Sequence, residues 1–211
     1  MHDSGYRFYG YWRSSATYRV RILFALKGLN YAYTPVNLLK NEQRSPEYLA
    51  VNPLGLVPTL IAPPGATLTQ SLAIAEYPAL LPADPVMRAR ARAIASVIAC
   101  EAQPLQNLRV QKYLREDAGL DDAGVQAWLD RFVGGAMRAA EAMLEESAGD
   151  FCVGNTPGLA DAFLAPQVYA AQRFKVDLAG LDRLISIYER CAAHPAFVKA
   201  HPDNQPDAPA S

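Results

Sequence analysis

The chain is poor in the residues that metal and disulfide chemistry require. Its 211 residues include three cysteines, Cys100, Cys152 and Cys191. They are far apart and odd in number, which excludes a disulfide framework and a C-x-x-C redox or metal pair. Three histidines, His2, His194 and His201, lie near the ends without ligand spacing, so no metal is expected. Neither sign of charge dominates: 20 Lys and Arg stand against 21 Asp and Glu, a formal net charge of −1. That balance excludes an electrostatic nucleic-acid binder, although local arginine clusters suit small anions. No apolar run reaches the roughly 18 residues of a membrane span. The start, Met-His-Asp-Ser-Gly-Tyr, lacks the basic-then-apolar pattern of a signal peptide. These absences lead to the expectation of a soluble, cytoplasmic, metal-free protein with one large or two small domains.

What is present changes texture near residue 82. Before it, short elements alternate: a strand over 7–11, a helix over 15–27, strands over 31–36, 58–61 and 67–70, a weak helix near 46–50, and a helix opening at Ser71. The turn Ala62-Pro63-Pro64-Gly65 joins the last two strands. A βαβ start followed by a hairpin and a helix suits a small α/β domain. After Pro82-Ala83-Asp84-Pro85 only helical periodicity remains, over about 86–115, 122–147, 159–174 and 181–192, with a stub at 196–199. The expected organisation is an α/β domain over 1–81 and an all-helical domain over 82–211. The tail from Pro202, rich in Pro and Asp, is expected to be extended and partly mobile.

Several local patterns carry chemistry, each beside an ordinary structural reading. Ser14-Ser15 ends the first strand and opens an amphipathic helix, expected to bury one face and expose the other, whose Ala16, Val20, Leu23, Phe24 and Lys27 share one face, with Gly28 placed to stop it. Serine there caps a helix. Two serines facing unpaired helix N–H groups also stabilise an anion such as a thiolate. Val57-Pro58 reads as a proline opening an edge strand. Gln70-Ser71 is one more helix start, a cap or a second anion site. Pro104 interrupts the first long helix of the second domain and predicts a kink or a break, with Gln103, Asn107 and Arg109 turned toward the first domain. Asp161, three residues after Gly158, is half of a capping box and reads as folding chemistry. Arg173 ends a helix, either as a dipole complement or as a ligand-binding residue.

Taken together, Arg13-Ser14-Ser15-Ala16 with Arg19-Val20-Arg21, Asn52-Pro53, Val57-Pro58, Gln70-Ser71, Gln103 to Asn107, Arg173 to Leu178, His201-Pro202 and Gln205-Pro206-Asp207 resemble the zeta-class glutathione transferases, the family of maleylacetoacetate and maleylpyruvate isomerases. The resemblance implies a thioredoxin-like N-terminal domain, a C-terminal helical bundle domain, a homodimer and glutathione as cofactor. It implies glutathione-dependent cis–trans isomerisation of a maleyl diacid. The alternatives are conjugation or dehalogenation with the same thiolate, or a non-catalytic binding module. Ser14, with Ser15 second, would hold the thiolate. A cis Val57-Pro58 bond would turn the Val57 backbone toward the cysteinyl segment of glutathione. Ser71 and Gln70 would take its γ-glutamyl end, and Gln103 and Asn107 would complete the cofactor site. Arg13 and Arg173 would grip substrate carboxylates, and Arg109 is added to them from its position after Asn107. Two departures stand out. Ala16 replaces the family cysteine, which removes a neighbouring thiol, and the 77–80 linker is shorter than in other members.

Overall fold

Alternation at the start of the chain yields a short strand, β1 (Arg7–Gly10), with Phe8 and Gly10 turned inward and Arg7 outward. It pairs in parallel with β2 (Ala32–Pro35) and antiparallel with β3 (Thr59–Ala62), which pairs antiparallel with β4 (Ala66–Thr69). The spatial order is β2-β1-β3-β4. The connection from β1 to β2 runs through α1 (Ser15–Leu26), and α2 (Pro46–Val51) and α3 (Ser71–Ala75) flank the hairpin. The computed structural model describes residues 5–77 and 80–209. The expectation of a shortened linker at 77–80 falls partly on Pro78 and Ala79, which lie outside the described residues.

The first core consists of Phe8, Val20, Phe24, Leu60 and Ile74, with Tyr6, Leu29, Tyr31, Tyr33 and Leu68 packed around it. Gly10 is required where β1 meets α1, because a Cβ there would clash with Thr17 Cγ2. Helix α1 stops as expected. Gly28 adopts φ 64°, its N–H donates to Ala25 O (3.2 Å), and the Leu29 N–H donates to Phe24 O (2.9 Å). This is a Schellman closure.

Two expectations are corrected in this part of the chain. Helix α1 is not half-exposed: every residue from Thr17 to Phe24 is buried, Arg19 and Arg21 included. The physical reason is a second covering layer, α3 and α9 (Pro195–Ala200), packed on the helix besides the sheet. The tail from Pro202 is not free either. It forms a 3-10 turn over Pro202–Asn204, and Asp207 Oδ2 accepts hydrogen bonds from Trp12 N (2.9 Å) and Tyr33 Oη (3.1 Å).

The chain thus divides into two compact units, one formed by the chain up to Leu80 together with the segment from Ala193 onward, the other by Leu81–Ala192. The expected second segment, 82–211, hands its end to the first unit.

The second unit contains α4 (Pro85–Ser96), α5 (Leu108–Glu116), α6 (Asp122–Leu144), α7 (Leu159–Arg173) and α8 (Asp182–Ala193). Of the kink or break expected in the helix over 86–115, the structure has the break: after α4 the chain passes through a π-helical turn (Val97–Ala102) and a 3-10 turn (Gln103–Gln106) before α5. Pro104 lacks an N–H and so cannot continue the regular ladder. Helix α7 is buried on all sides from Leu159 to Val168. Its Asp161 accepts from Gly158 N (2.9 Å) and Cys152 N (2.8 Å). Gly158 has no side chain to reciprocate, so Asp161 acts as folding chemistry.

Candidate active site

The turn before α1 sets the first serine. Ser14 N–H donates to Tyr11 O (3.0 Å), and Ser14 takes extended backbone angles as the N-cap of α1. Its Oγ accepts the Thr17 N–H at 3.2 Å. The capping reading is therefore met, and it leaves the hydroxyl proton free to be donated. No acidic residue occupies the first turn of α1, so no side chain there neutralises the positive helix end. Ser15 is the first helical residue and is half-buried. Arg13 is exposed, its guanidinium lying 5.1 Å from the centroid of the Trp12 ring.

The Val57-Pro58 bond is cis. Among the described residues, neither the Val57 N–H nor its C=O has a hydrogen-bond partner. The segment before it is held tightly. Asn52 Nδ2 donates to Leu56 O (2.8 Å) and Thr59 Oγ1 (3.0 Å), while Asn52 Oδ1 accepts from Leu54 N (3.1 Å). Tyr48 Oη donates to the same Leu56 carbonyl at 2.6 Å and lies 3.0 Å from Thr59 Oγ1. Burial pushes the Tyr48 phenol up, so it stays a donor. Gly55 is needed in that loop, with φ 59° and a Cβ position only 2.8 Å from Gln43 O. Tyr48 and Thr59 carried no motif signal. Asn52 stood in the Asn52-Pro53 pair but had been assigned no role.

Gln70 sits exposed at φ 68°, between β4 and α3, and caps nothing with its side chain. Ser71 follows as the first residue of α3. Its hydroxyl is not a helix cap: Oγ accepts from Arg19 Nη1 at 3.1 Å, and both side chains are buried. A buried guanidinium needs partners to offset its desolvation, and this requirement brings Arg19 of α1 to Ser71. Arg19 stood in the Arg19-Val20-Arg21 motif but had been assigned no role.

In the second unit, Gln103 opens the 3-10 turn and is half-buried. Asn107 is the N-cap of α5, its Oδ1 accepting from Arg109 N at 3.1 Å. Arg109 is exposed, with no side-chain ion pair among the described residues. Arg173 is also exposed, in the last turn of α7 with its guanidinium 4.6 Å from the Phe174 ring centroid. The turn carrying Gln103 is pinned from behind. Gln106 and Gln167 exchange two amide hydrogen bonds (3.2 and 2.9 Å), Gln111 Nε2 donates to Gln106 O (2.7 Å), and Trp128 Nε1 donates to Leu105 O (3.0 Å).

A helix start bearing a serine, an unpaired backbone segment beside a cis proline and a buried Ser–Arg contact are features of one unit. Two family models match the chain: the glutathione S-transferase N-terminal domain over residues 4–79 and the glutathione S-transferase C-terminal domain over 126–196. The chain belongs to the glutathione S-transferase family. This glutathione S-transferase is 46% identical to the maleylacetoacetate isomerase of Pseudomonas aeruginosa, over 97% of its own length and 100% of the relative's. Among solved structures it is similar to the holo form of a maleyl pyruvate isomerase described as a bacterial glutathione S-transferase of the zeta class. That match has a TM-score of 0.91 and 38% identity, covering 96% of this chain and 100% of the other. The maleylacetoacetate isomerase of Methylobacterium extorquens AM1, solved with bound malonate and glutathione, matches with a TM-score of 0.90 and 38% identity over 97% and 100% of the two chains. The family assignment agrees with the resemblance read from the motifs.

Proposed function

We propose that this protein is a glutathione-dependent cis–trans isomerase that converts a maleyl diacid, maleylacetoacetate or maleylpyruvate, to its fumaryl isomer in aromatic amino acid or aromatic acid catabolism. The observation that carries the reading is the Ser14 hydroxyl, whose oxygen is engaged by the helix while its proton remains free. Glutathione fits the residues of the first unit. The unpaired Val57 N–H and C=O match the strand-like edge of a peptide, and the Ser14 hydroxyl with the α1 N-terminus matches an anion.

When bound, glutathione supplies the sulfur nucleophile that adds to and then leaves the activated double bond, so that the former double bond rotates. The chain does the rest. Ser14 donates a hydrogen bond to the sulfur and, with the positive end of α1, favours its deprotonated form; Ser15 is the second donor. An ordinary thiol near pKa 8.5 needs about 2.7 kcal/mol of differential stabilisation for a two-unit drop. One charge-assisted hydrogen bond and a helix-end contribution are of that size. Val57 and Pro58 align the cofactor backbone, Gln70 and Ser71 take its γ-glutamyl end, and Gln103 and Asn107 complete its contacts. Arg13 and Arg173, with Arg109, hold the two substrate carboxylates. The reading includes a cytoplasmic location and a two-fold homodimer, for which light scattering should give a mass near twice 23.0 kDa.

The test is an absorbance assay with both maleyl diacids, with and without glutathione. Turnover that requires glutathione supports the reading; binding to immobilised glutathione without turnover of either diacid overturns it. Ser14→Ala should move the pH–rate profile upward. Full activity in Ser14→Ala with loss in Ser15→Ala would exchange the two serines.

A further inference from the structure

The turn that carries Ser14 is held from the far end of the chain. The hydrogen bond from Ser14 N to Tyr11 O closes it over Trp12 and Arg13. In such a turn the second residue's own N–H and C=O find no partner inside the turn, and buried backbone groups are satisfied elsewhere. The Trp12 N–H donates to Asp207 Oδ2 at 2.9 Å, and the Trp12 C=O accepts from Arg21 Nη2 at 2.8 Å. Both partners are themselves held. Asp207 Oδ2 also accepts from Tyr33 Oη of β2 at 3.1 Å. Arg21 is 1% exposed, and its Nε donates to the Ala200 carbonyl at the end of α9 (3.0 Å). Trp12 is thus clamped at both peptide groups by charged side chains, one from the C-terminal segment and one locked onto it. Charge-assisted bonds of this kind are about twice as strong as neutral ones. The clamp ends two residues before the serine hydroxyl.

We propose that Asp207 is a positioning residue for Ser14, with Arg21 as its counterpart on the other side of Trp12. The carboxylate fixes the Trp12 peptide, the peptide fixes the turn, and the turn aims the Ser14 hydroxyl at the sulfur. The proposal rests on Ser14 being the thiol partner. It differs from a purely structural tail contact because it predicts effects at the sulfur.

The experiment uses the full chain carrying Asp207→Ala, Asp207→Asn, Ser14→Ala and the double variant Ser14→Ala/Asp207→Ala, with glutathione and the maleyl diacid as probes. Asp207→Ala should lower kcat about ten- to a hundredfold, with the diacid KM changed less than about threefold. The ultraviolet thiolate absorbance of bound glutathione should titrate at higher pH. Asp207→Asn, whose amide oxygen still accepts from Trp12, should recover most of the loss. In the Ser14→Ala background, Asp207→Ala should cost little more, because the two act through one hydroxyl. Independently of turnover, the Trp12 amide of the glutathione-free Asp207→Ala protein should exchange its hydrogen faster. An unmoved thiolate titration, or fully additive losses in the double variant, overturns the proposal while leaving Ser14 in place. Full activity of Ser14→Ala overturns the assignment of Ser14 and this proposal with it. Should Asp207→Ala not fold, Tyr33→Phe removes one anchor of the carboxylate and should give a smaller shift of the same sign; no shift overturns the proposal.

Discussion

At the scale of single residues, burial decides which side chains are reactive. Cys152 and Cys191 are both 0% exposed, and Cys100 is exposed. Burial raises the Cys152 thiol well above its usual range, with the nearby Asp161 carboxyl and Cys191 adding to the shift. Burial likewise raises Cys191. Thiols of that kind are inert because the thiolate is the nucleophile. At pH 7 a small alkylating reagent should add once per folded chain, and Cys100→Ser should abolish the reaction. Two or three adducts on the native protein, counted by mass spectrometry, would contradict this. The site serines carry a related lesson. Ser14 uses its oxygen for the helix and Ser71 gives its oxygen to Arg19. Two serines with the same sequence signature therefore have different partners.

At the scale of elements, α9 and the turn after it show how a short polar segment is fastened. His201 ends α9, its Nδ1 accepts from Asp203 N at 3.4 Å, and its ring stands edge-on to Tyr18 with centroids 5.9 Å apart. Burial lowers the His201 pKa below 6.5; Asp203 opposes the shift and Arg21 adds to it. A folded value below the unfolded one means that the unfolded chain binds more protons in that window. The contribution of neutral His201 is therefore present above about pH 6.5 and is lost as pH falls through the lower folded value. Between pH 7 and pH 5 the melting temperature of the native protein should fall more than that of His201→Asn, which keeps a capping side chain but cannot titrate. Parallel curves would show that protonation of His201 does not loosen the segment.

Elements were also where the sequence was most and least informative. The strands, α1 and helices α6, α7 and α8 lie within a few residues of where periodicity, caps and Gly28 put them, because those signals are local. The docking of 193–209 was not legible. Pro202 to Pro209 has no hydrophobic period and reads like a linker, and its ties to Trp12 and Tyr33 span 195 and 174 residues. The Gln106–Gln167 exchange, 61 residues apart, was hidden for the same reason. Pro104 did announce a break, but not the π-helical turn before it. At the site, the turn serine, Val57-Pro58 and Gln70-Ser71 were readable as motifs. Arg19, Arg21, Tyr48 and Asp207 were not readable as a framework, since their roles arise only from partners brought near by folding.

At the scale of the whole molecule, the first unit is discontinuous in sequence and the second continuous. A chain ending at Ala192 should therefore damage the first unit most. It loses Phe197, 1% exposed, and the Ala200 carbonyl that Arg21 needs. Burying a phenylalanine contributes about 1.5–3 kcal/mol, and a hydrogen bond to a buried charge about 1.5–3 kcal/mol. The expected loss of roughly 3–6 kcal/mol compares with total stabilities of about 5–15 kcal/mol. Thermal unfolding of the truncated chain checks it, and an unchanged midpoint would show that the last segment does not support the first unit.

The same arrangement orders events during synthesis. The strands, α1 and both serines leave the ribosome early, but the guanidinium of Arg21 has no Ala200 carbonyl to meet until residue 200 has been made. Translating the intervening 81–192 takes roughly 6–20 seconds at ordinary rates. Over that interval the Arg21 side chain of the nascent first unit lacks one of its two carbonyl acceptors, and the early strands wait on residues 193–207. The second unit, uninterrupted in the message, can close while the first is still waiting.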